Sequence, residues 1–251
     1  MIAAVFTPQA SGKDKKVFTV VIDAGHGGSD PGTSDNDAVE KDINLGVALR
    51  LGEKIRKLKD TKVILTRDDD TFVSLQDRAD VANKAGAHLF ISIHTNSAAL
   101  ENPNRASAIG ASTYVRSLDK DKDNLDVTKR ENQVIELDEG DRKRFADFNP
   151  VDMLSPTIQM KNLQNSTRLA EYVQDEMIKI GRKVHGKGKG VHQAGFKVLW
   201  ATAMPSILIE LDFICNPKEA AYLTSEKGQE ELAGAIFNAV KKYERYFRGD
   251  R

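Results

Sequence analysis

Val17-Phe18-Thr19-Val20-Val21-Ile22, running into Asp23-Ala24-Gly25-His26-Gly27-Gly28, decides how this chain is read. A continuous apolar, β-branched run without polar alternation describes a strand buried on both faces, the situation of a parallel sheet covered by helices. The Gly-rich stretch after it empties that strand into a tight loop. Outward from there, Ile43, Val47, Leu51, Ile55 and Leu58 fall three or four apart, which predicts a helix from about Glu40 to Lys59 with its apolar stripe on the sheet. Val63-Ile64-Leu65 is a second short strand. Ser74 caps a helix with Asp77 at its third position and Leu75, Ala79, Ala82 and Ala85 on its buried face. Leu89-Phe90-Ile91-Ser92-Ile93 is a third strand, ending at His94-Thr95-Asn96. Strand and helix in alternation predict a single α/β domain, a largely parallel sheet with helices on both faces. Farther on, Leu154 to Ile180 reads as helix, Ser206-Ile207-Leu208-Ile209 as a buried strand ending at Glu210, and the chain from about Glu226 as a terminal helix.

Composition narrows the function. The 251 residues carry 37 Lys+Arg against 37 Asp+Glu, which removes the basic footprint of a dedicated nucleic-acid binder. One cysteine, Cys215, excludes an internal disulfide framework and multi-cysteine metal sites. No run of 18 or more apolar residues exists, so nothing in the sequence reads as membrane-spanning. Residues 1–16, with Ile2-Ala3-Ala4-Val5-Phe6 ahead of Pro8-Gln9-Ala10-Ser11-Gly12, read as a truncated export signal or a disordered tail. Between Leu118 and Asp147, seventeen of thirty residues are charged, too many for a core element, so this stretch is expected to be a solvated insertion.

Chemistry collects at strand ends. His26 lies just past the first strand, His94 just past the third, Glu210 at the end of the late strand, and Glu40 opens the first helix. Parallel topology brings such strand ends to one rim, where ligands of these sheets bind. Two imidazoles and one carboxylate make a catalytic zinc shell with a fourth position open, and a second carboxylate held off the metal can take a proton from water. Glu40, on the loop side with His26, is assigned to the metal. Glu210 interrupts an apolar strand, where an unpaired carboxylate is costly, and is assigned as general base. His192 competes as third ligand, while His88, at the opposite rim, is expected to be structural. Gly181 to Lys187 imitates a phosphate-binding loop, but Gly188 stands where Ser or Thr must meet magnesium.

The motifs together resemble a known family. Val21-Ile22-Asp23-Ala24-Gly25-His26-Gly27-Gly28 with Pro31-Gly32, then Glu40-Lys41-Asp42-Ile43-Asn44-Leu45, is similar to the opening of the zinc-dependent N-acetylmuramoyl-L-alanine amidases of the bacterial cell-division type. Leu65-Thr66-Arg67, Leu75 with Arg78, Ala82 and Asn83, Phe90 through His94 with Asn96, and Met204 through Glu210 with Phe213, Ile214, Asn216 and Pro217 continue the resemblance in order. It implies a twisted mixed sheet, one zinc ion on His26, Glu40 and His94, Glu210 as the catalytic glutamate, and peptidoglycan as substrate, cut between muramic acid and the L-alanine of the stem peptide. Thr95 and Asp212 depart from the family pattern, with Ala and Gly common at those places. A zinc carboxypeptidase acting on stems and a wall-binding module without catalysis are the competing readings.

Further expectations rest on the same resemblance. Asn96 and the basic loop residues Lys187 and Lys189 are candidate substrate contacts. The catalytic domain is expected over 17–248, with 118–160 as an insertion. Some relatives carry a helix there that covers the zinc until an activator protein withdraws it. Here Asn124 to Ile135 is the candidate helix, with Glu131 as the carboxylate plug and Glu136 as the alternative. Location in the periplasm or cell envelope follows from the substrate.

Overall fold

The computed structural model describes residues 17–117, 125–146, 154–186 and 188–249. The tail 1–16, Lys187, and the two ends of the segment between Ser117 and Leu154 lie outside the described residues. Strand β1 (Phe18–Ala24) is fully buried, as its unbroken apolar run requires. It lies between β4 (Thr61–Leu65) and β5 (Leu89–Asn96), parallel to both. β8 (Ser206–Phe213) pairs parallel to β5, β6 (Ser112–Arg116) antiparallel to β8, and β7 (Val191–Ala194) parallel to β6. The sheet of order β4-β1-β5-β8-β6-β7 is therefore mixed and mostly parallel, as the resemblance implies. A small hairpin, β2 (Ser34–Asp35) and β3 (Ala38–Val39), leads into the first helix.

Two apolar cores follow from the two-residue period of the strands. Phe18, Val20, Ile22 and Ala24 face the core formed with α1 (Glu40–Ile55), α5 (Pro156–Lys179) and α8 (Glu226–Arg248). Val21, Phe90, Tyr114 and Leu208 face the other core, closed by α2 (Leu75–Lys84) and α6 (Lys197–Trp200). Ser74 caps α2 by accepting from Asp77 N, as its sequence predicts. Helix α1 stops at Ile55, four residues before the expected end; Leu58 still packs on the core from the turn that follows. The short α7 (Pro217–Thr224) begins at Pro217 behind an Asn216 cap.

Counting by twos along β5 and β8 puts His94 and Glu210 on the face covered by α2 and α6. They are register partners across the parallel pair. Beyond them the register slips: Asn96 pairs with Phe213, so β8 holds one residue more than β5 over this stretch. Such bulges terminate pairing and re-aim side chains beside active sites. Glu210 is thus not the last residue of its strand, as the sequence suggests, because β8 continues to Phe213.

The charged segment is partly helical. Helix α3 (Leu125–Asn132), a 3-10 turn over Gln133–Leu137 and α4 (Glu139–Ala146) lie on the α2/α6 face, with Val134 and Phe145 buried in that core. The expected helix therefore ends three residues early, and its last turn tightens.

Candidate metal centre

His26 stands at φ +61°, a left-handed conformation that a residue with a side chain adopts at a cost. Two arginines hold it there. Arg78, almost fully buried, donates to the carbonyls of Ala24 and His26 (both 2.8 Å) and pairs with Asp23 Oδ1 at 2.7 Å. Arg67 donates to the carbonyls of Ala24 (2.9 Å), Gly25 (3.0 Å) and Lys41 (2.8 Å). Asp23 is satisfied in turn by the hydroxyls of Thr66 and Ser92, both at 2.7 Å. The loop is laced from beneath by buried, charge-assisted bonds of the strong kind.

The loop delivers His26 to a shared point. His26 Nδ1 lies 2.7 Å from Asp30 Oδ2, which fixes the Nδ1–H tautomer and leaves Nε2 free to ligate. Around that Nε2, Glu40 Oε1 stands at 3.2 Å and Glu131 Oε2 at 3.1 Å. His94 Nδ1 lies 3.3 Å from the same Glu40 oxygen and 2.8 Å from the same Glu131 oxygen. All four donor atoms fall within 4.8 Å of one another, and all four residues are buried. A tetrahedral zinc site with bonds of about 2.0–2.2 Å has edges of roughly 3.3–3.6 Å, close to these separations. His94 Nδ1 is buried and makes no correctly directed hydrogen bond despite those near carboxylates, as suits a nitrogen meant for a cation. The chemistry and spacing of the donors fit a metal ion.

Close packing supports the assignment. A Cβ on Gly25 would stand 2.4 Å from the His94 ring, and one on Gly32, at φ +63°, would meet both Glu40 Oε2 and His26 at 2.7 Å. Glu40 is aimed by Thr33 N on Oε2 (2.9 Å) and Thr95 N on Oε1 (3.0 Å). Thr95, one of the departures from the family pattern, donates its hydroxyl to Asn44 Oδ1 (2.9 Å) and so stiffens the support beneath Glu40.

Electrostatics separates the carboxylates by role. Burial opposes charge on every member of the cluster. The Glu40 charge and bonds to Asp30 and Glu131 nevertheless hold His26 well above its usual range, and Glu131 pushes His94 up to about 9. Glu40 and Glu131 are correspondingly held far below the ordinary carboxylate range, burial notwithstanding, by the two imidazoles. Glu210 goes the other way. Burial, and then the negative charge of Glu131, push it up to about 8, and neither of its oxygens has a hydrogen-bond partner. A fully buried carboxyl poised near neutrality is suited to take and return a proton.

The sequence that defines the N-acetylmuramoyl-L-alanine amidases matches residues 20–242 of this chain. The chain belongs to the N-acetylmuramoyl-L-alanine amidase family. It is 33% identical over 237 residues to the amidase AmiC of Escherichia coli O6:H1, covering 94% of this chain and 55% of that protein, so it spans about half the length of this relative. Its structure resembles an N-acetylmuramoyl-L-alanine amidase from Clostridium difficile 630, with TM-score 0.66, 31% identity, and coverage of 91% of this chain and 97% of that one. It also resembles the CwlD amidase of Clostridioides difficile solved in complex with the GerS lipoprotein, with TM-score 0.66, 28% identity, and coverage of 91% and 99%.

Against this amidase framework, the expected site residues other than Lys187, which lies outside the described residues, can be placed. His26, Glu40 and His94 converge, and Glu210 lies beside them. His192 does not join the cluster: it sits on β7 with Nε2 3.1 Å from the His185 carbonyl and its ring against Tyr114. His88 is structural, accepting from Thr19 N at 3.1 Å. Glu131 is the fourth donor, whereas Glu136 is exposed on the 3-10 turn and is removed from the plug role by its direction. Asn96 lies at the cluster's edge with Oδ1 accepting from Ser97 N and Arg130 Nη2, and its buried Nδ2 has no partner. Lys189 is exposed. Within the basic loop, Arg182 is occupied by Glu219 at 2.5 Å and by the Tyr222 ring, and His185 is the residue that reaches the cavity beside Asn96. Asp212, the second departure from the family pattern, anchors Gly110 N at 2.7 Å.

Two contributors escaped the sequence reading. Asp30 was hidden because its role depends on the loop curling back four residues. Arg130 was one charge among seventeen, yet its guanidinium reaches Glu131, Ser97, Asn96 and Glu210. No described helix is long and apolar enough to cross a membrane.

Proposed function

We propose that residues 17–248 form the catalytic domain of a zinc-dependent peptidoglycan hydrolase that cleaves the amide between N-acetylmuramic acid and the L-alanine of the stem peptide, and that 118–160 is its inhibitory insertion. The observation that carries this reading is the convergence of His26, Glu40 and His94 on one point, with Glu210, whose oxygens accept no hydrogen bond, alongside. His26, Glu40 and His94 would hold a zinc ion there, which would supply Lewis acidity toward the scissile carbonyl and toward water near pH 7. Glu210 accepts that proton and returns it to the departing amine. Asp30 keeps His26 in the ligating tautomer, and Thr33 and Thr95 keep Glu40 turned inward. Asn96 offers its free Nδ2 to a substrate carbonyl.

Glu131 supplies the inhibition. Its carboxylate sits where substrate and water must come, among the imidazoles, and its segment is docked through Asn132, which donates to Gly195 O (3.2 Å) and accepts from Lys197 N (3.0 Å). An activator protein that withdraws the segment would release the enzyme; the GerS complex of the CwlD amidase is an example of a relative with a protein partner. The setting is the periplasm or cell envelope, in wall remodelling or daughter-cell separation.

Zinc analysis of purified variants tests the centre. Alanine at His26, Glu40 or His94 is expected to remove stoichiometric zinc and activity together, while Glu210→Ala keeps zinc and loses turnover about 10²-fold or more. Zinc lost from the Glu210 variant and kept in the Glu40 variant reverses the roles. Products decide the bond: intact stems with L-alanine amino termini mean amidase, and released terminal amino acids mean carboxypeptidase. Replacing 120–147 by a short Gly/Ser linker should raise basal hydrolysis; unchanged activity in a folded, zinc-loaded protein refutes the inhibitory role. Fractionation of cells making the native precursor tests location, and an active cytoplasmic pool would indicate wall recycling.

A further inference from the structure

Hydrolysis of an amide breaks its C–N bond, forms a C–O bond to water, and at neutral pH leaves both of the water's protons on the nitrogen. A carboxylate and an amine result, and the amine is an ammonium at neutral pH. The two products therefore carry opposite charges at the point where they were joined. The adjacent residues Arg130 and Glu131 bring the same two charges into the cleft. Glu131 Oε2 lies 2.8 Å from His94 Nδ1 and 3.1 Å from His26 Nε2. Arg130 Nη2 lies 3.5 Å from Glu210 Oε1, the carboxyl that hands the proton to the amine, and 3.2 Å from Asn96 Oδ1.

We infer that the Arg130–Glu131 pair is a mimic of the two products, and that it assigns direction to the cleft: an ammonium seat for the L-alanine end of the stem peptide at Glu210, Asn96 and Ser97, and the acyl side over Thr33 and Glu40. The inference rests on the amidase reading and on Glu131 as plug. What defines the seat belongs to the sheet rather than to the insertion. Glu210 Oε1, Asn96 Oδ1 and the Ser97 carbonyl, which accepts Arg130 Nη1 at 2.8 Å, converge on one guanidinium. With Arg130 lifted out, three acceptors remain at the place of its guanidinium, two facing the Nη2 position and one the neighbouring Nη1 position. A primary ammonium has three N–H donors and no acceptor, so it matches that set.

The cavities agree with this direction. Arg130 lies between two of them and lines both. One, of about 610 Å³, opens on the Asn96 side among Ser97, Arg105, His185 and Phe213, with room for a peptide leading away from its ammonium. The other, of about 240 Å³, lies over His26, Gly32, Thr33 and Glu40, on the carboxylate side. Asn96 Nδ2, buried and unpartnered, stands at the entrance of the larger cavity, placed for the first peptide carbonyl.

The test uses the full zinc-loaded chain, with tri-L-alanine and N-acetyl-tri-L-alanine as probes in calorimetry and amide chemical-shift titration. Arg130→Met is expected to bind tri-L-alanine at least tenfold more tightly than the unaltered chain, with shifts at Ser97, Ala98 and Phe213. Arg130→Lys keeps a cation in the seat and should show no gain, and the acetylated probe should gain nothing in either variant. Equal gains for both probes, no gain in Arg130→Met, or shifts at Gly32 and Thr33 instead would overturn the ammonium seat. Zinc content and basal hydrolysis of Glu131→Gln report on the amidase and plug reading separately, so either idea can fail while the other stands.

Discussion

The rim of β1, α1 and β5 and the segment over 125–146 meet at the same four donors, but they are held by different means. The rim is over-determined: Arg78 and Arg67 grip consecutive carbonyls from below, Asp23 is satisfied three times, and Glu40 is fixed at both oxygens. The segment is held by Val134 and Phe145 in the core, by Asn132 at the start of α6, by Asp141, which accepts from Leu75 N (2.7 Å) and Gln76 N (3.1 Å) at the first turn of α2, and by the polar contacts of Arg130 and Glu131 at the site itself. A rim laced redundantly keeps its geometry, and a segment fastened at fewer points is the one better suited to the proposed role of a cover that is withdrawn.

Breaking the lacing should produce the largest effect. Arg78→Leu strands the buried Asp23 carboxylate and frees the His26 carbonyl, and removing one partner of a buried pair costs about 3–5 kcal/mol. A melting curve should show a fall of roughly 10 °C, from about 2–4 °C per kcal/mol in a protein of this size. A shift under a degree would mean that the rim is not held this way.

Asp30→Ala acts on the same rim more locally. It removes the partner of His26 Nδ1 and should weaken zinc binding by roughly 10–100-fold, the usual cost of losing such a support, with little change in fold. Competition with a chromogenic chelator measures it; unaltered affinity would show that the loop alone fixes the tautomer.

Asp212 sharpens the comparison through pH. Burial pushes its carboxyl up to about 6 from 3.8, so the folded state prefers it protonated. Stability is therefore lost as pH rises from about 3.8 through 6, where the buried group must ionise. Asp212→Asn retains the acceptor for Gly110 N and Phe213 N and avoids that cost. It should melt roughly 3–6 °C higher than the unaltered chain at pH 8, and no higher at pH 3.5. An equal difference at both pH values would contradict the assignment.

The smallest expected change in stability comes from the cover. Asp141→Ala removes acceptors from the start of α2, at a cost of about 1 kcal/mol. Basal hydrolysis should rise all the same, because one anchor of the segment is gone. Stability lost without any gain in activity would make Asp141 a cap alone.

What could be read from the sequence follows the same division. β1, β5 and β8 announce themselves because strands buried on both faces need uninterrupted apolar runs, and the strand-end logic then brings His26, Glu40, His94 and Glu210 to one rim. β6 was illegible: Ser112, Thr113 and Arg116 are polar yet buried, since the strand is flanked by β8 and β7 and covered on both faces. β7 has four residues, including His192 and Gln193, and lacks the apolar excess that marks a strand. Glu131 comes into view through the family resemblance, as one of the carboxylates on the candidate helix, but Arg130 does not, because its meaning lies in Ser97, Asn96 and Glu210, which are remote in the chain. Asp30 stayed hidden for the converse reason, a local pairing made only by a left-handed turn at His26.

The order of the chain has a consequence for biosynthesis. His26, Glu40 and His94 lie on the loop after β1, on α1 and on β5, all in the first part of the chain, whereas Glu131 follows later and Glu210 comes near the end on β8. With the roles proposed above, synthesis makes the ligand set first, the covering carboxylate next and the proton carrier last. On that reading the covering carboxylate is made before the proton carrier, so no partial product would hold the full machinery uncovered.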